Sequence, residues 1–182
     1  MRVLIFWSRI LLLAAASTAV KPQAVADQYR TDQPPKVEED SDAYAIYSVL
    51  LPAERVGVTA YNIKDQTERG PLPMCVIPPA NQEQIYRSVI DQFVTRNKEK
   101  LSLKRSFDLP AYNLISPRDK VLPIFEVSAV GFNNEHTRAL VYVGHICGGL
   151  CGGGTYHLMV KINGKWEPDR EFRGGPFCLW AS

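Results

Sequence analysis

Hydrophobic positions repeat with helical spacing in two segments of the first half of the chain. In residues 81–98 they recur at i, i+1, i+4 and i+5, and they are Ile85, Tyr86, Val89, Ile90, Phe93 and Val94. This spacing places them on one face of a helix, for which Asn81 is a suitable N-cap. A shorter helix is predicted from Ser41 or Asp42 to about Leu51, where Pro52 ends it.

The second half has the shorter runs of β-branched and aromatic residues that are typical of strands. Strands are predicted over residues 124–132, 138–147 and 155–162 and from Lys165 onward, and an earlier isolated strand over residues 56–63. The intervening turn signals are Asn133–Asn134, the glycine-rich residues 148–154 and Asn163–Gly164. Strands that follow helices favour an α+β fold. We therefore predict an antiparallel meander of about four to five strands, with the two N-terminal helices packed on one face.

Alternation within the two central strands predicts which side chains share a face of this sheet. One face carries Tyr142 and Tyr156 among other apolar residues, and we expect it to meet the helices. The other face carries His145 and His157, is mixed in polarity and should be half covered at most. We place these two histidines opposite each other. A register error of two residues would preserve the faces, whereas an error of one would exchange them.

The N-terminus has the three parts of a secretory signal peptide. Arg2 and Arg9 are followed by an apolar run over residues 10–20, which is too short to span a bilayer, and by the small-x-small sequence at 24–26. We predict cleavage after Ala26, a flexible tail over residues 27–40, and a single α+β domain over residues 41–182. The expected location is periplasmic or secreted, with no stable membrane anchor once the signal peptide is removed.

Composition and charge exclude several classes of protein. With 46% hydrophobic and 22% charged residues, the chain has an ordinary globular composition. Removing residues 1–26 takes away three of the 21 basic residues and none of the 19 acidic ones, so the formal charge changes from +2 to −1. A charge this close to zero gives no general attraction to nucleic acid, and we expect no nucleic-acid partner.

Export affects how the four cysteines are interpreted. An even number of cysteines in an oxidising compartment predicts disulfides, and four cysteines allow three pairings. Cys147 and Cys151 flank three residues, two of them glycine, so a local bridge is favoured. Cys75 would then pair with Cys178 and tie the C-terminal residues to a distant loop.

The segment from His145 to His157 contains most of the reactive side chains of the domain. The favoured interpretation is structural, with a disulfide that stabilises a flexible glycine-rich loop. The alternative is a metal site, because His145, Cys147, Cys151 and His157 are ligand types that tetrahedral zinc accepts. A redox pair is disfavoured, since such pairs commonly have a two-residue spacer at a helix N-terminus. We expect no cofactor and assign no catalytic residue.

Two aromatic residues complete the list of candidate binding residues. Tyr156 and Trp166 are expected mainly in the core, but Trp166 could line the mouth of a concave sheet, a common place for a small apolar ligand. The candidate binding residues are therefore His145, His157, Tyr156 and Trp166.

Sequence motifs in the second half resemble those of a group of uncharacterised exported bacterial proteins. They are Val127–Asn133 (VSAVGFN), Ala139–Val143 (ALVYV), Cys147–Gly152 (CGGLCG) and Asn163–Trp166 (NGKW). No activity is implied by this resemblance. The last motif is also similar to the final strand of cone-shaped α+β domains of the NTF2 type, and the resemblance implies a curved NTF2-like or cystatin-like sheet.

These features together predict an exported, non-catalytic module of the bacterial envelope that binds a small molecule or a partner protein. A metal-binding protein or an enzyme that uses the hairpin from His145 to His157 is the alternative. A structural role in the envelope through an exposed surface patch is a third hypothesis.

Overall fold

The computed structural model describes residues 34–53, 59–70, 76, 83–170 and 179–181. The predicted signal peptide and both cysteines of the predicted Cys75–Cys178 bridge lie outside the described residues. The helices are α1 (Ser41–Leu50) and α2 (Glu83–Arg96), and a short 3-10 helix (Leu51–Ala53) follows α1. No helix within the described ranges has both the length and the apolar character needed to cross a membrane.

Eight strands form one mixed sheet in the described part of the chain. They are β1 (Tyr61–Lys64), β2 (Tyr112–Ile115), β3 (Ile124–Val127), β4 (Gly131–Phe132), β5 (Arg138–Gly148), β6 (Cys151–Ile162), β7 (Lys165–Pro168) and β8 (Leu179–Ala181). The main order is β2-β1-β3-β5-β6-β7; β4 also pairs with β5, and β8 with β6. An α+β fold is confirmed, but the prediction of a four- to five-stranded antiparallel meander is wrong, because β1 is parallel to both β2 and β3.

The two helices contact opposite faces of the sheet, not the single face that the sequence predicted. The Tyr142 face packs against Val89 and Phe93 of α2. The opposite face, with Val141 and Val143, belongs to the cluster that contains the buried residues of α1. Both faces of β5 are apolar, so each needs a cover, and the sheet is the middle layer of three.

Two tyrosines of α1 connect this helix to the rest of the domain. The hydroxyl of Tyr47 donates a hydrogen bond of 2.8 Å to the carbonyl oxygen of Ser128, and the Tyr47 side chain is fully buried. The ring of Tyr44 makes an edge-on contact with Phe107 at 5.2 Å between centroids. Tyr44, Tyr47 and Leu50 are all buried, so α1 has an apolar face that packs into the domain. Its N-cap is Asp40, one or two residues before the predicted start at Ser41 or Asp42, since the Asp40 side chain accepts from the Asp42 N–H.

The C-terminal half of α2 is held unusually close to β4 and the residues before it. A Cβ atom on Gly131 would lie only 2.5 Å from the Cα of Phe93, so only glycine fits at this contact. One turn later, the Asn97 amide donates to the Ala129 carbonyl at 2.9 Å, and its oxygen accepts from the Ala129 N–H at 3.0 Å. These contacts fix the end of α2 against the chain between β3 and β4.

Residues 36–40, which the sequence analysis places in a flexible tail, are packed onto the domain. Val37 forms a parallel bridge to Ser102, and Gln66 forms an antiparallel bridge to the same residue. Glu38 is 1% exposed. The N-terminal segment is therefore an extended edge segment with a single bridge, which we call the N-terminal edge strand, and it lies beside the end of α2.

Candidate functional site

The predicted central hairpin is present, but its turn is much shorter than the glycine-rich loop of the prediction. Gly148 pairs with Cys151, so β5 and β6 are joined by Gly149 and Leu150 alone. Gly148 and Gly149 have φ of +104° and +47°, values that favour glycine. Residues 152–154, predicted as loop, belong to β6. The interpretation failed there because glycine is rare in strands and is normally a turn signal.

A disulfide joins Cys147 and Cys151 across this turn, with their Cα atoms 5.1 Å apart. The local bridge that the sequence favoured is therefore present. Both sulfurs are covalently bonded and offer no thiolate, so the zinc set of His145, Cys147, Cys151 and His157 is not assembled in this state. We call this unit, residues 147–151, the stapled turn.

The two histidines of the hairpin share a face of the sheet but are not neighbours. His145 lies opposite Gly153, and His157 lies opposite Val141. The face assignment is correct, and the assumed His145–His157 pairing is wrong by four residues. Four residues of strand separate the two positions by roughly 13 Å. This separation argues against one small site that uses both rings.

Tyr156 and Trp166 lie in the core on opposite sides of the sheet. Tyr156 is 5% exposed and packs against Phe93 and Tyr142 at centroid distances of 5.6 and 5.3 Å. Burial, with a smaller contribution from Tyr142, raises the pKa of Tyr156 well above its usual value. Trp166 is 4% exposed and contacts Phe132 at 5.7 Å. The four candidate binding residues therefore do not form one site.

The structure instead assembles a group of charges around the start of α1. Arg96, in the last turn of α2, donates hydrogen bonds of 2.6 and 2.8 Å to the two carboxylate oxygens of buried Glu38. The guanidinium also lies over the Phe132 ring at 5.8 Å. The Arg96 side chain is therefore engaged in contacts within the domain and is only 27% exposed. The run of acidic residues before α1 and the run of basic residues after α2 were the sequence signal that could have predicted an ion pair between Glu38 and Arg96.

Asp40, Asp42 and His136 come together beside this ion pair. One ligand atom from each lies within 4.8 Å of the others, a spacing that a metal ion could use. Lys161, however, donates to both oxygens of Asp42 at 2.9 Å. Burial opposes ionisation of Asp42, but the hydrogen bond and the charge of Lys161 hold its pKa below the usual value. Because cations of the protein already compensate these carboxylates, we interpret the cluster as an ion-pair network.

The best candidate for a binding site is the depression between the N-terminal edge strand and the end of α2. Its volume is about 680 Å³, and it is open to solvent. We call it the edge groove, and its lining residues are Lys36, Val37, Glu39, Thr95, Arg96, Lys98, Glu99 and Leu101. A second depression of about 370 Å³ lies on the other side of Glu39. The sequence analysis missed both, since it treated residues 34–40 as unstructured.

An exposed ion pair and a side-chain contact to the backbone border the edge groove. Lys36 and Glu99 meet at 2.5 Å although both side chains are more than half exposed. The hydrogen bond and the charge of Lys36 lower the pKa of Glu99. Arg69 donates to the backbone oxygen of Lys98, and this contact holds the chain after α2. The groove thus offers both signs of charge around the apolar side chains of Val37 and Leu101.

Comparisons with protein-family models, with curated proteins and with solved structures find no significant match to this chain. The resemblance to exported proteins and to NTF2-like domains therefore stays a prediction.

Proposed function

We propose that this chain is an exported, non-catalytic binding module of the bacterial envelope, and that its edge groove binds an extended segment of a partner polypeptide. The observation that carries the proposal is the outer backbone edge of Val37, whose N–H and C=O have no backbone partner among the residues that the structure describes. An extended peptide binds such an edge by adding a strand, with main-chain hydrogen bonds for affinity and side-chain contacts for specificity.

The hydrogen bonds of the N-terminal edge strand define which side is open. Ser102 donates to the carbonyl oxygen of Lys36 at 2.8 Å and accepts from the N–H of Glu38 at 2.9 Å. In a parallel bridge of this kind, the N–H and C=O of the central residue, here Val37, point to the opposite side. Neither group has a backbone partner within the described residues. The outer side of Val37 therefore presents one donor and one acceptor next to the groove.

The walls of the groove suit a polypeptide of mixed charge better than a small apolar ligand. Sites for small molecules are commonly enclosed and mostly apolar. The edge groove is open, and its wall on the α2 side carries Lys98 and Glu99. Thr95 supplies a further polar side chain on the exposed face of the helix. Side chains of both signs on an extended segment would find partners along this wall.

A site-specific photo-crosslinker placed at Thr95 in the expressing cell tests the proposal. We expect a covalent adduct with a polypeptide, identified by its mass. The same crosslinker at Gln84, an exposed residue near the start of α2 and about 16 Å along the helix from Thr95, should give none. Equal adducts at both positions would indicate nonspecific contact, and the absence of any adduct at Thr95 would refute a polypeptide ligand.

Two replacements of Val37 separate strand addition from other modes of binding. Proline at this position removes the outward N–H, while the two hydrogen bonds to Ser102 use atoms of Lys36 and Glu38. We expect Val37→Pro to abolish the Thr95 adduct and Val37→Ala to retain it. Urea unfolding confirms that both variants are folded. An adduct that survives Val37→Pro would contradict strand addition.

A further inference from the structure

The stapled turn projects an apolar side chain into solvent. Leu150 is 91% exposed, the largest value among the exposed large apolar residues of the described chain. Leu150 is one of only two residues between the paired positions Gly148 and Cys151, and the disulfide crosses the same turn. The short turn and the covalent link together restrict how far the leucine can fold back onto the domain.

Two more exposed apolar residues lie at this end of the sheet. Val121 and Leu122 precede β3 and are 53% and 48% exposed. Leu122 reaches the stapled turn, because its Cδ1 atom lies 3.0 Å from the position that a Cβ of Gly148 would occupy. Leu122 therefore lies against the stapled turn that carries Leu150, and we call Val121, Leu122 and Leu150 the apolar tip. Neighbouring exposed apolar residues of this kind mark interaction sites.

Cationic side chains accompany the apolar tip. The exposed loop before β3 carries Arg118 and Lys120 directly before Val121. It also carries Asp119, whose carboxylate accepts a hydrogen bond of 2.8 Å from the Ser116 N–H. The loop thus has two cations to one anion. Apolar side chains that protrude beside cations match the two layers of an anionic bilayer, acyl chains below and negatively charged headgroups above.

We infer that the apolar tip docks the domain reversibly on an anionic lipid surface. Leu150 and Leu122 enter the boundary between headgroups and acyl chains, and Arg118 and Lys120 face the lipid phosphates. The area involved is small, so docking is weak and is lost at high salt. This inference is independent of the edge groove, which none of these residues lines.

Co-sedimentation with vesicles tests the inference. The full chain is expressed, purified as the cell processes it, and mixed with vesicles of phosphatidylglycerol and phosphatidylcholine or of phosphatidylcholine alone. We expect binding to the anionic vesicles that falls with added salt. All variants share the N-terminus of the wild type, so any difference between them reports on the replaced residue.

Matched replacements identify the side chains responsible. Leu150→Ser should lower the partition coefficient on anionic vesicles about tenfold, because the apolar surface of the leucine is no longer removed from water. Lys120→Gln should lower it about fivefold on anionic vesicles and leave binding to phosphatidylcholine unchanged. Ile162→Ser is the control, because Ile162 is 46% exposed beside the turn at the other end of β6.

Three results would overturn lipid docking. The first is a wild type that does not bind anionic vesicles, which would leave a protein partner as the occupant of the tip. The second is a Leu150→Ser variant that binds as well as the wild type. The third is an equal loss in Ile162→Ser, which would indicate general adhesion of exposed apolar residues. Because Leu150 buries almost nothing in the domain, unfolding cannot explain a loss of binding in Leu150→Ser.

Discussion

Replacing Glu38 with glutamine removes the negative charge that holds the N-terminal edge strand to α2. Glutamine keeps the size of the side chain and retains an oxygen for the Asp40 N–H, which donates to Glu38 at 3.2 Å. It loses the ion pair with Arg96, in which the carboxylate is 1% exposed and the guanidinium is 27% exposed. The change therefore isolates one buried interaction that shapes the edge groove.

The size of the expected effect follows from the burial of the two partners. Breaking a buried ion pair by removing one partner costs roughly 3–5 kcal/mol. Water reaches part of the Arg96 guanidinium and can solvate the charge left behind, so the effect should lie below that range. We expect Glu38→Gln to lower the free energy of unfolding by about 2–3 kcal/mol. For a domain of this size, such a loss lowers Tm by roughly 4–12 °C.

A double-mutant cycle measured by urea unfolding tests this reasoning. Glu38→Gln, Arg96→Gln and the double variant should give a coupling energy of about 1.5 kcal/mol or more. The exposed pair of Lys36 and Glu99 serves as the internal control, because exposed ion pairs contribute roughly 0–1 kcal/mol. A Glu38–Arg96 coupling no larger than that of the control pair would refute the assignment of a buried, stabilising ion pair.

Three further predictions concern stability. Gly131→Ala should lower the free energy of unfolding by about 3 kcal/mol, because its Cβ would press on the backbone of Phe93. The control Gly149→Ala should lower it by only about 1 kcal/mol, because Gly149 has a φ of +47° but open space around it. If urea unfolding showed the larger loss for Gly149→Ala, the packing argument would be contradicted. Replacing both Cys147 and Cys151 with serine should lower the free energy of unfolding by about 2 kcal/mol, the chain-entropy value for so short a loop. An unchanged midpoint of urea unfolding would count against a stabilising disulfide. The depressed pKa of Asp42 gives stability that is complete above about pH 4 and is lost as the pH falls through the folded-state value. The difference in unfolding free energy between wild type and Lys161→Met should therefore shrink from about pH 6 to about pH 3. A difference that stays constant over this range would exclude a stabilising contribution of the Asp42–Lys161 ion pair.

The faces of the central strands could be predicted from the sequence, but their partners could not. Side chains alternate strictly along a strand, so Tyr142 and Tyr156 share a face in every register that differs from the predicted one by an even number of residues. The register depends on the turn, and the turn signal was ambiguous across seven residues that contain five glycines. The structure resolves it with Gly149 and Leu150 as the turn, and Tyr142 then lies directly opposite Tyr156.

Parallel pairing escaped the sequence analysis because it depends on residues far apart in the chain. Tyr61 pairs with Tyr112, and Asn62 with Ile124, across long intervening segments. Local patterns specify neither partner, and only a hairpin carries a short-range signal such as Asn163–Gly164. That turn is present, with φ of +50° and +78° at its two residues. The edge groove was missed for the same reason, since its strand at Val37 pairs with Ser102.

The two proposed sites lie at opposite ends of the sheet, and this arrangement gives them compatible roles. The apolar tip adjoins the start of β3, where Ile124 pairs with Ile146 near the stapled turn. The edge groove lies beyond the other end of the parallel strands, because Ser102 bridges Gln66, two residues after the end of β1. A domain docked by its tip would thus present the groove away from the lipid. The variants should therefore affect the two sites independently. Leu150→Ser should weaken vesicle binding and leave the Thr95 adduct intact, whereas Val37→Pro should abolish the Thr95 adduct and leave vesicle binding unchanged.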